Sequence, residues 1–399
     1  MENKTNILFV DDDPNILAGL RRMLRRCRDK WQMFFACGGQ DALNQISLQE
    51  IDVIVSDMRM PEIDGVKLLS AVAKSNPEVI RLVLSGQAEK EEMLSIVGIA
   101  HQFLSKPCNS EVLQTTIDRI SQWQCKLEHH PARRVLTQAE AIPSLKGSYS
   151  KLAEAFDNGP SSFDRVKGVI CQDVGLATKT LQLVSSSFFG SPQPKRSIKS
   201  ACDLLGFELL SHLFFKTTLF NPVQQNIATD AFLADLSSHS FQVSNLASKI
   251  ARHNKCSTQE IDISRNAGLL HDIGRLILAH NFSDSYAEVL KTAKQKCVSL
   301  ESAEFEVFGF TQNEVGAFLL ALLGIDPAIV NIVSTYNRCE QIEDDGFSPV
   351  TAVFAANHIL NEKDLPNQQR MLEKSKYVRQ IGCQGQIPEW RSLVEGQMI

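Results

Sequence analysis

The sequence lacks several features that would assign it to common functional classes. No stretch approaches the roughly 18 consecutive apolar residues that a membrane-spanning helix needs, and the opening MENKTNILFVDDD puts acids directly after a short apolar run, unlike a signal peptide. The ten cysteines include no Cys-x-x-Cys pair, so neither a zinc knuckle nor a disulfide framework is indicated. We therefore expect a cytoplasmic protein with reduced thiols and no membrane partner.

An excess of positive charge is also lacking. A formal net charge of −5 gives no reason to expect nucleic acid as the principal partner, and no helix-turn-helix is recognisable. A DNA-binding regulator is therefore the least favoured of the functions considered. The chain has no internal repeat, and its 399 residues are too many for one compact core, so two or three domains are expected.

The first 127 residues alternate short apolar runs with amphipathic helical patterns. Strands are predicted at residues 7–10, 32–36, 52–56, 79–84 and 102–105. Five strands that alternate with five helices predict an α/β fold, a doubly wound five-stranded parallel sheet covered on both faces. On the first helix, the residues at one face are expected to be buried: Ile16, Leu20, Met23 and Cys27.

Polar side chains follow or end four of these strands. They are Asp11, Asp12, Asp57, Ser85 and Lys106. The carboxyl ends of parallel strands meet at one edge, so these residues should converge although they are distant in sequence. Three neighbouring carboxylates repel one another, and Mg²⁺ suits an all-oxygen site that also grips a phosphoryl oxygen. We predict that Asp12, Asp57 and the backbone carbonyl of Arg59 bind Mg²⁺, with Asp11 acting through a bound water.

The same residues can accept a phosphoryl group. A carboxylate is a competent acceptor, and Asp57 is the predicted phosphoacceptor. The metal and the ammonium of Lys106 would neutralise charge on the transferring group, while the Ser85 hydroxyl would bond a phosphoryl oxygen.

Four strings in this order, LFVDDD, SDMRMPEIDG, VLSG and FLSKP, resemble a response-regulator receiver domain. Met60, Pro61 and Gly65 follow Asp57 at the family's spacing. The resemblance implies phosphotransfer from a histidine kinase or a phosphotransfer protein, slow self-hydrolysis, and a switch in which Ser85 and Phe103 reorient on phosphorylation. The first helix carries a basic cluster that is either a solvated face or a docking patch for an acidic partner: Arg21, Arg22, Arg25, Arg26, Arg28 and Lys30.

After residue 127 the character of the sequence changes. Residues 128–136 are polar and broken by proline, and are predicted to form a linker. Residues 137–345 show helical patterns without strand alternation and are predicted to form an all-helical domain, with breaks at residues 191–194 and 221–222. Residues 346–399 are predicted to be a helical extension packed on that domain.

Two histidines stand out in the helical half. His239 lies on the inward face of one helix, and His271–Asp272 lies in the apolar string GLLHDIGRLIL, which is predicted to be a buried helix. A lone buried histidine is usually a packing residue, but a His-Asp pair with a second inward histidine favours an ancestral metal site.

The helical half resembles the HD superfamily of metal-dependent phosphohydrolases, and more narrowly the HD-related output domain called HDOD. The order of IPSLKGSYSKLAEAF, IKSACDLLGFELL, HSFQVSNLASKIA, GLLHDIGRLIL and EVGAFLLALLGIDPAIV carries the likeness. Against the HD pattern and its HD-GYP branch, which cleaves cyclic di-GMP, ligand positions are replaced by Gln312, Tyr336, Asn337 and Asn357. His239, His271, Asp272 and Asn357 are thus predicted to be a vestigial HD site, with no metal or only partial occupancy.

These patterns favour a response regulator without an enzymatic output. Its helical domain would signal by binding another protein, such as a cyclic di-GMP phosphodiesterase, with homodimer formation left open. The alternative is an HD-type phosphohydrolase, itself a cyclic di-GMP phosphodiesterase gated by the receiver, that uses His239, His271 and Asp272.

Overall fold

The structure is a computed structural model. It describes residues 4–86, 96–124, 136–137, 142–185, 197–217, 220, 227–341, 346–362 and 371–395. Residues of the predicted linker other than Leu136, and the two predicted breaks at residues 191–194 and 221–222, lie outside this range. No described helix is long and apolar enough to cross a membrane.

The first part of the chain forms a five-stranded parallel sheet with the strand order β2-β1-β3-β4-β5. The strands are β1 (Thr5–Asp11), β2 (Trp31–Cys37), β3 (Val53–Asp57), β4 (Ile80–Ser85) and β5 (Gln102–Ser105). The apolar runs in β1, β3 and β4 are buried, as expected for a sheet covered on both faces. The predicted fold class of this part is confirmed.

Helices cover this sheet. They are α1 (Pro14–Met23), α2 (Gly39–Leu48), α3 (Gly65–Ser75) and α4 (Ser110–Gln124). The fourth predicted helix falls largely on residues 87–95, outside the described residues. The buried face of α1 differs from the predicted one.

Leu17 and Leu20 are buried on α1, whereas Ile16 is 38% exposed and Met23 is only partly buried. The predicted face was one residue out of phase at its start. Leu20 and Cys27, both buried, belong to either phase.

The remainder of the described chain is helical, and no strand occurs there among the described residues. Its helices are α5 (Lys146–Asp157), α6 (Phe163–Gln172), α7 (Val174–Ser185), α8 (Ile198–Lys216), α9 (Ile227–His253), α10 (Thr258–Leu270), α11 (Ile273–Asn281), α12 (Ser283–Lys296), α13 (Leu300–Phe308), α14 (Gln312–Leu322), α15 (Pro327–Thr335), α16 (Pro349–Asn361), α17 (Lys376–Gln380) and α18 (Ile387–Glu395). The core of this half is built on α9, which packs against α10 and α16. The predicted all-helical class of the second half is confirmed.

The last described residues pack on the helical core. Trp390 of α18 and Tyr377 of α17 are fully buried, and the Tyr377 hydroxyl lies 2.7 Å from the Thr351 hydroxyl on α16. The Lys249 ammonium of α9 donates to the carbonyl of Leu393 at 3.1 Å. The last described residues therefore contribute two large side chains to the core built on α9 and α16, and α16 itself lies within the predicted extension of residues 346–399.

Candidate functional site

Three carboxylates converge at the carboxyl edge of the sheet. Asp11 ends β1, Asp12 follows it, and Asp57 ends β3; an oxygen from each lies within 4.8 Å of the others. Asp11 is buried and Asp12 is exposed, so the cluster opens to solvent on one side. Oxygen donors at this spacing fit Mg²⁺, which prefers oxygen ligands and usually keeps several waters.

Lys106 reaches the cluster from the residue after β5. Its ammonium lies 2.7 Å from Asp11 Oδ2 and 2.8 Å from Asp57 Oδ1. Burial lowers the pKa of Lys106, but hydrogen bonds and attraction from the two carboxylates outweigh it and the net pKa is raised. Three carboxylates thus face one ammonium, and the remaining negative charge is what a divalent cation would compensate.

The backbone that carries Asp57 is held by a close approach of Gly65. A Cβ on Gly65 would come within 2.3 Å of the Asp57 carbonyl oxygen, and the Gly65 amide donates to the Met58 carbonyl at 2.9 Å. Only glycine fits there. The spacing from Asp57 to Gly65 therefore has a steric cause.

For the other predicted receiver residues, the structure gives the position in the fold but fewer contacts. Ser85 is the last residue of β4 and pairs with Ser105, but its side chain lies outside the described atoms. Phe103 is 3% exposed in β5, next to Val83 of β4. Arg59 lies two residues after Asp57 in the loop that follows β3, and its carbonyl stays a predicted ligand.

The second predicted site lies where α9, α10, α11 and α16 meet. His271 and Asp272 are buried, but they occupy the junction between α10 and α11 rather than the middle of one helix, which corrects the single helix that was predicted. Ligand atoms of His239, His271 and Asp272 lie within 4.8 Å of one another. The structure therefore brings these three residues together.

Protein donors already occupy both oxygens of Asp272. Oδ1 accepts from the Tyr336 hydroxyl at 2.9 Å and from Gln312 Nε2 at 3.3 Å, and Oδ2 accepts from an Arg275 guanidinium nitrogen at 3.0 Å. Burial raises the pKa of Asp272, but Arg275 and the two histidines outweigh it and bring the pKa to about 2. Asp272 is therefore a carboxylate whose charge Arg275 compensates.

The two histidines use different nitrogens. His239 Nε2 lies 2.9 Å from Asn357 Oδ1, which can only accept, so this nitrogen carries the proton. His271 Nδ1 lies 2.7 Å from the Gly268 carbonyl, so Nδ1 is the donor and Nε2 keeps a lone pair without a partner. Burial lowers the pKa of His271. Nε2 of His271 is thus free to bind a metal ion, whereas Nε2 of His239 is hydrogen-bonded to Asn357.

A cavity of about 630 Å³ opens at this point. His239, Asp272, Arg275, Tyr336, Asn337 and Asn357 are among its lining residues. This volume falls in the range of small-molecule pockets. The donor set fits a catalytic metal ion poorly, because both oxygens of Asp272 already accept from protein donors and the predicted fourth ligand is an amide bound to His239.

Two models of known families match the chain. The response regulator receiver domain matches residues 7–118, and the HDOD domain matches residues 142–338. The chain is a response regulator with an N-terminal receiver domain and a C-terminal HDOD domain.

Individual relatives share parts of this arrangement. The transcriptional regulatory protein GlrR of Escherichia coli is 29% identical over 115 residues, which is 28% of this chain and 25% of GlrR. The hydrogenase transcriptional regulatory protein HoxA of Cupriavidus necator is 28% identical over 168 residues, 41% of this chain and 34% of HoxA. The chain thus spans about a quarter to a third of the length of these curated relatives.

Two solved structures are similar to different shares of the chain. The receiver domain of an HD domain-containing protein from Pseudomonas fluorescens is 24% identical, covering 31% of this chain and 98% of that chain with a TM-score of 0.30. The response regulator MmoQ from Methylococcus capsulatus is 18% identical, covering 63% of this chain and 97% of that chain with a TM-score of 0.47.

Two charged residues, one bound to Asp272 and the next bound to that residue, were missed by the sequence analysis. Arg275 lies three residues after Asp272, and Glu304 on α13 is fully buried and accepts from Arg275 Nε at 3.3 Å. A basic residue one helical turn after the His-Asp pair was a signal for the first. Nothing local marked Glu304, because its partner lies 29 residues away.

Proposed function

We propose that this response regulator is phosphorylated on Asp57, with Mg²⁺ bound by the acid cluster, and that its HDOD domain signals by protein contact without hydrolysing a substrate. A histidine kinase or a phosphotransfer protein is the proposed donor. The proposed division is a receiver at residues 1–127, a linker at 128–136, the HDOD domain at 137–345 and the extension at 346–399.

One observation carries the receiver part of the proposal. Lys106 holds Asp57 and Asp11 at hydrogen-bond distance in a cluster with charge left for a divalent cation. Lys106 and Mg²⁺ would stabilise charge on the phosphoryl group as it is transferred to the carboxylate of Asp57. Ser85 is proposed to bond a phosphoryl oxygen and, with Phe103, to report its arrival.

Phosphorylation is tested with a small-molecule donor such as acetyl phosphate. We expect the intact chain to gain one phosphoryl group in the presence of Mg²⁺, by intact-mass spectrometry, and the Asp57→Asn variant to gain none. Asp64→Asn is the matched control, because Asp64 caps α3 and an asparagine still caps it. Equal labelling of Asp57→Asn and wild type would refute Asp57 as the acceptor.

The HDOD part rests on how Asp272 is bound. Arg275 already compensates the charge of this carboxylate, and Tyr336 and Gln312 also donate to it, so less negative charge is left for a metal ion than in the receiver cluster. The proposed output is a binding surface, and the proposed partner is a signalling protein such as a cyclic di-GMP phosphodiesterase. A pull-down with beryllofluoride-treated and untreated protein tests this; identical partners in both states would contradict a phosphorylation-controlled surface.

A second candidate function is favoured by one observation. His239, His271 and Asp272 offer ligand atoms within 4.8 Å, and His271 Nε2 has no hydrogen-bond partner. The candidate is a metal-dependent phosphohydrolase. Metal analysis after incubation with Mn²⁺ or Fe²⁺ separates the two: stoichiometric metal that is lost in His271→Ala, together with hydrolysis of cyclic di-GMP, would establish the enzyme. We expect neither.

A further inference from the structure

The receiver domain caps a helix of the HDOD domain. Gln102, the first residue of β5, donates its side-chain amide to the carbonyls of Ala321 and Leu322, both at 2.9 Å. These carbonyls belong to the last turn of α14, where the amide of a continuing helix is missing; the carbonyl of Ala321 also accepts from the Gly324 amide at 3.1 Å. Gln102 is only 8% exposed, so this amide substitutes for water at the helix end.

The end of α14 is shaped to receive that amide. Gly324 follows the helix with a φ of +74°, and a Cβ there would come within 3.1 Å of the Gln102 side-chain amide. A side chain at this position would crowd the amide and strain the backbone. Residues of both domains thus shape this contact, Gln102 in the receiver and Gly324 in the HDOD domain.

Neighbouring contacts fix the same edge of the receiver. The buried Arg81 of β4 donates to the Thr137 carbonyl at 2.6 Å, and His101 Nε2 lies 2.9 Å from the same oxygen. Gln182 of α7 donates to the His101 carbonyl at 3.3 Å. The beginning of β5 is therefore tied to the HDOD domain at several points.

The opposite end of α14 contacts two residues that line the HDOD cavity, Asp272 and Tyr336. Gln312 begins the helix, and its amide nitrogen lies 3.0 Å from the Tyr336 hydroxyl and 3.3 Å from Asp272 Oδ1. Its backbone N–H donates to Glu304 at 3.0 Å. The 11 residues of α14 span about 16 Å between the two ends.

Along its length α14 is locked to the helix that follows the His-Asp pair. A Cβ on Gly274 of α11 would come within 1.9 Å of the Gln312 carbonyl oxygen and 2.9 Å of the Gly316 amide nitrogen. The two backbones are in direct contact, so α14 cannot shift without moving α11 and Asp272 with it.

The receiver end of this path is close to the phosphoacceptor. Only four positions separate Gln102 from Lys106, whose ammonium binds Asp57 at 2.8 Å. A phosphoryl group on Asp57 would draw that ammonium towards its own oxygens. Because Lys106 directly follows β5, this movement would act on the strand. Buried Phe103, beside Gln102, belongs to the same strand.

We propose that Gln102 and α14 form the structural link through which phosphorylation of Asp57 changes the pocket around Asp272. The inference rests on the proposed function for the phosphorylation itself and adds the route to the output domain. Rigid elements that bridge two sites transmit a displacement when both ends are held, and both ends of α14 are held by buried hydrogen bonds.

Hydrogen exchange read by mass spectrometry tests the link in the full chain, with Mg²⁺ and with or without beryllofluoride. In wild type we expect altered exchange in peptides from β4 and β5 and also from α11 and α14. Gln102→Leu keeps a side chain of similar volume and removes the amide. In this variant we expect the change in exchange at β4 and β5 to persist, and the change at α11 and α14 to fall at least about twofold.

Gln122→Leu is the matched control, because Gln122 lines the groove between α4 and α15 without capping α14. It should respond as wild type does. Gln102→Asn, whose amide is one methylene too short, serves as a second variant if Gln102→Leu misfolds, and we expect the same loss.

The outcomes separate the link from the proposed function. An unchanged α11–α14 response in the Gln102 variants, or no such response in wild type while β4 and β5 respond, would overturn the link alone. No response of β4 and β5 in wild type would instead count against phosphorylation at Asp57.

Discussion

Arg275 sits between two buried carboxylates. Its guanidinium lies 3.0 Å from Asp272 and 3.3 Å from Glu304, and the two carboxylates are 4% and 0% exposed. Charges taken out of water are tolerated when they are paired, and removing one partner leaves the other without compensation. Arg275 is therefore central to the stability of the HDOD pocket.

Substituting Arg275 by Met should destabilise the HDOD domain by about 3–5 kcal/mol, because Asp272 stays buried without its cation. Urea unfolding followed by circular dichroism measures the change. Arg338→Met is the control, since Arg338 pairs with Glu301 at a more exposed position, 43% and 23%, and should cost at most about 1 kcal/mol. Equal costs for the two substitutions would show that Asp272 does not depend on Arg275.

The capping residue Asp64 predicts a pH dependence. Its side chain accepts from the Lys67 amide at 2.8 Å at the start of α3. Burial raises the pKa of Asp64, but the hydrogen bonds from Lys67 outweigh it and the net pKa is lowered. A lowered folded-state pKa means that the stabilisation is present above the unfolded pKa of about 3.9 and is lost as the pH falls through the folded value.

Asp64→Ala should therefore cost about 1 kcal/mol at pH 7 and less near pH 3.5. Unfolding free energies at the two pH values provide the measurement. Asp64→Asn keeps an uncharged cap, so its advantage over Asp64→Ala should not shrink in the same way. A cost of Asp64→Ala that is the same at both pH values would contradict the charged cap.

At the scale of elements, the close crossing of α11 and α14 depends on a glycine, Gly274. Gly274→Ala would place a methyl group 1.9 Å from the Gln312 carbonyl oxygen, a backbone atom that cannot rotate away. We expect a loss of about 1–3 kcal/mol, measured by thermal or urea unfolding.

Gly168→Ala is the matched control for this substitution. Gly168 lies inside α6 with nothing within 4 Å of an added Cβ, and alanine should stabilise the helix there by about 0.5–1 kcal/mol. If both substitutions changed stability in the same direction, the steric account of the crossing would be wrong.

The sequence predicted where strands and helices lie better than it predicted which face of a helix is buried. The strands were predicted because apolar runs bounded by polar residues are local signals, and β5 was predicted at its observed bounds. The buried face of α1 was misplaced because residues 16, 20 and 23 and residues 17, 20 and 24 both satisfy helical spacing. Only packing on the sheet selects Leu17 over Ile16.

The site residues divide in the same way. Asp11, Asp12, Asp57 and Lys106 could be brought together from strand order alone, because strand ends meet at one edge. The hydrogen bonds to Asp272 could not be predicted from the sequence, since Tyr336 lies 64 residues away and Gln312 lies 40 away. The break between α10 and α11 at the His-Asp pair was hidden by the continuous apolar pattern around it.

At the scale of the whole molecule, the basic cluster on α1 and the segment after it faces outward. Arg21, Arg22, Arg25, Arg26 and Arg28 are all exposed, and none of them pairs with a carboxylate in the described part of the chain. Lys30 differs, because it binds Asp118 at 3.0 Å. Arg21 also lies over the Phe35 ring, 4.5 Å from its centroid. Five exposed arginines without a carboxylate partner among the described residues, on a chain of net charge −5, favour the docking interpretation over a balanced, solvated face.

Reversing two of these charges, Arg25→Glu with Arg26→Glu, should slow phosphotransfer from the cognate kinase about tenfold or more at low salt, with a smaller effect at high salt. Transfer rates from radiolabelled kinase measure this. Labelling by acetyl phosphate should not change, because the acid cluster is untouched. Lys74→Glu with Lys151→Glu alters net charge equally elsewhere; equal slowing by both pairs would exclude a docking patch on α1.

The amide of Gln102 also bears on whether the two domains can be exchanged like modules. A receiver grafted from another regulator would bring its own acid cluster and would keep its own phosphorylation chemistry. It would nevertheless remove the side-chain donor from the carbonyls of Ala321 and Leu322 unless its fifth strand also began with a side chain of this length and polarity. Compatibility between receiver and output thus depends on this strand position together with Arg81 and His101, and a chimera that keeps these side chains is the one expected to fold as a single unit.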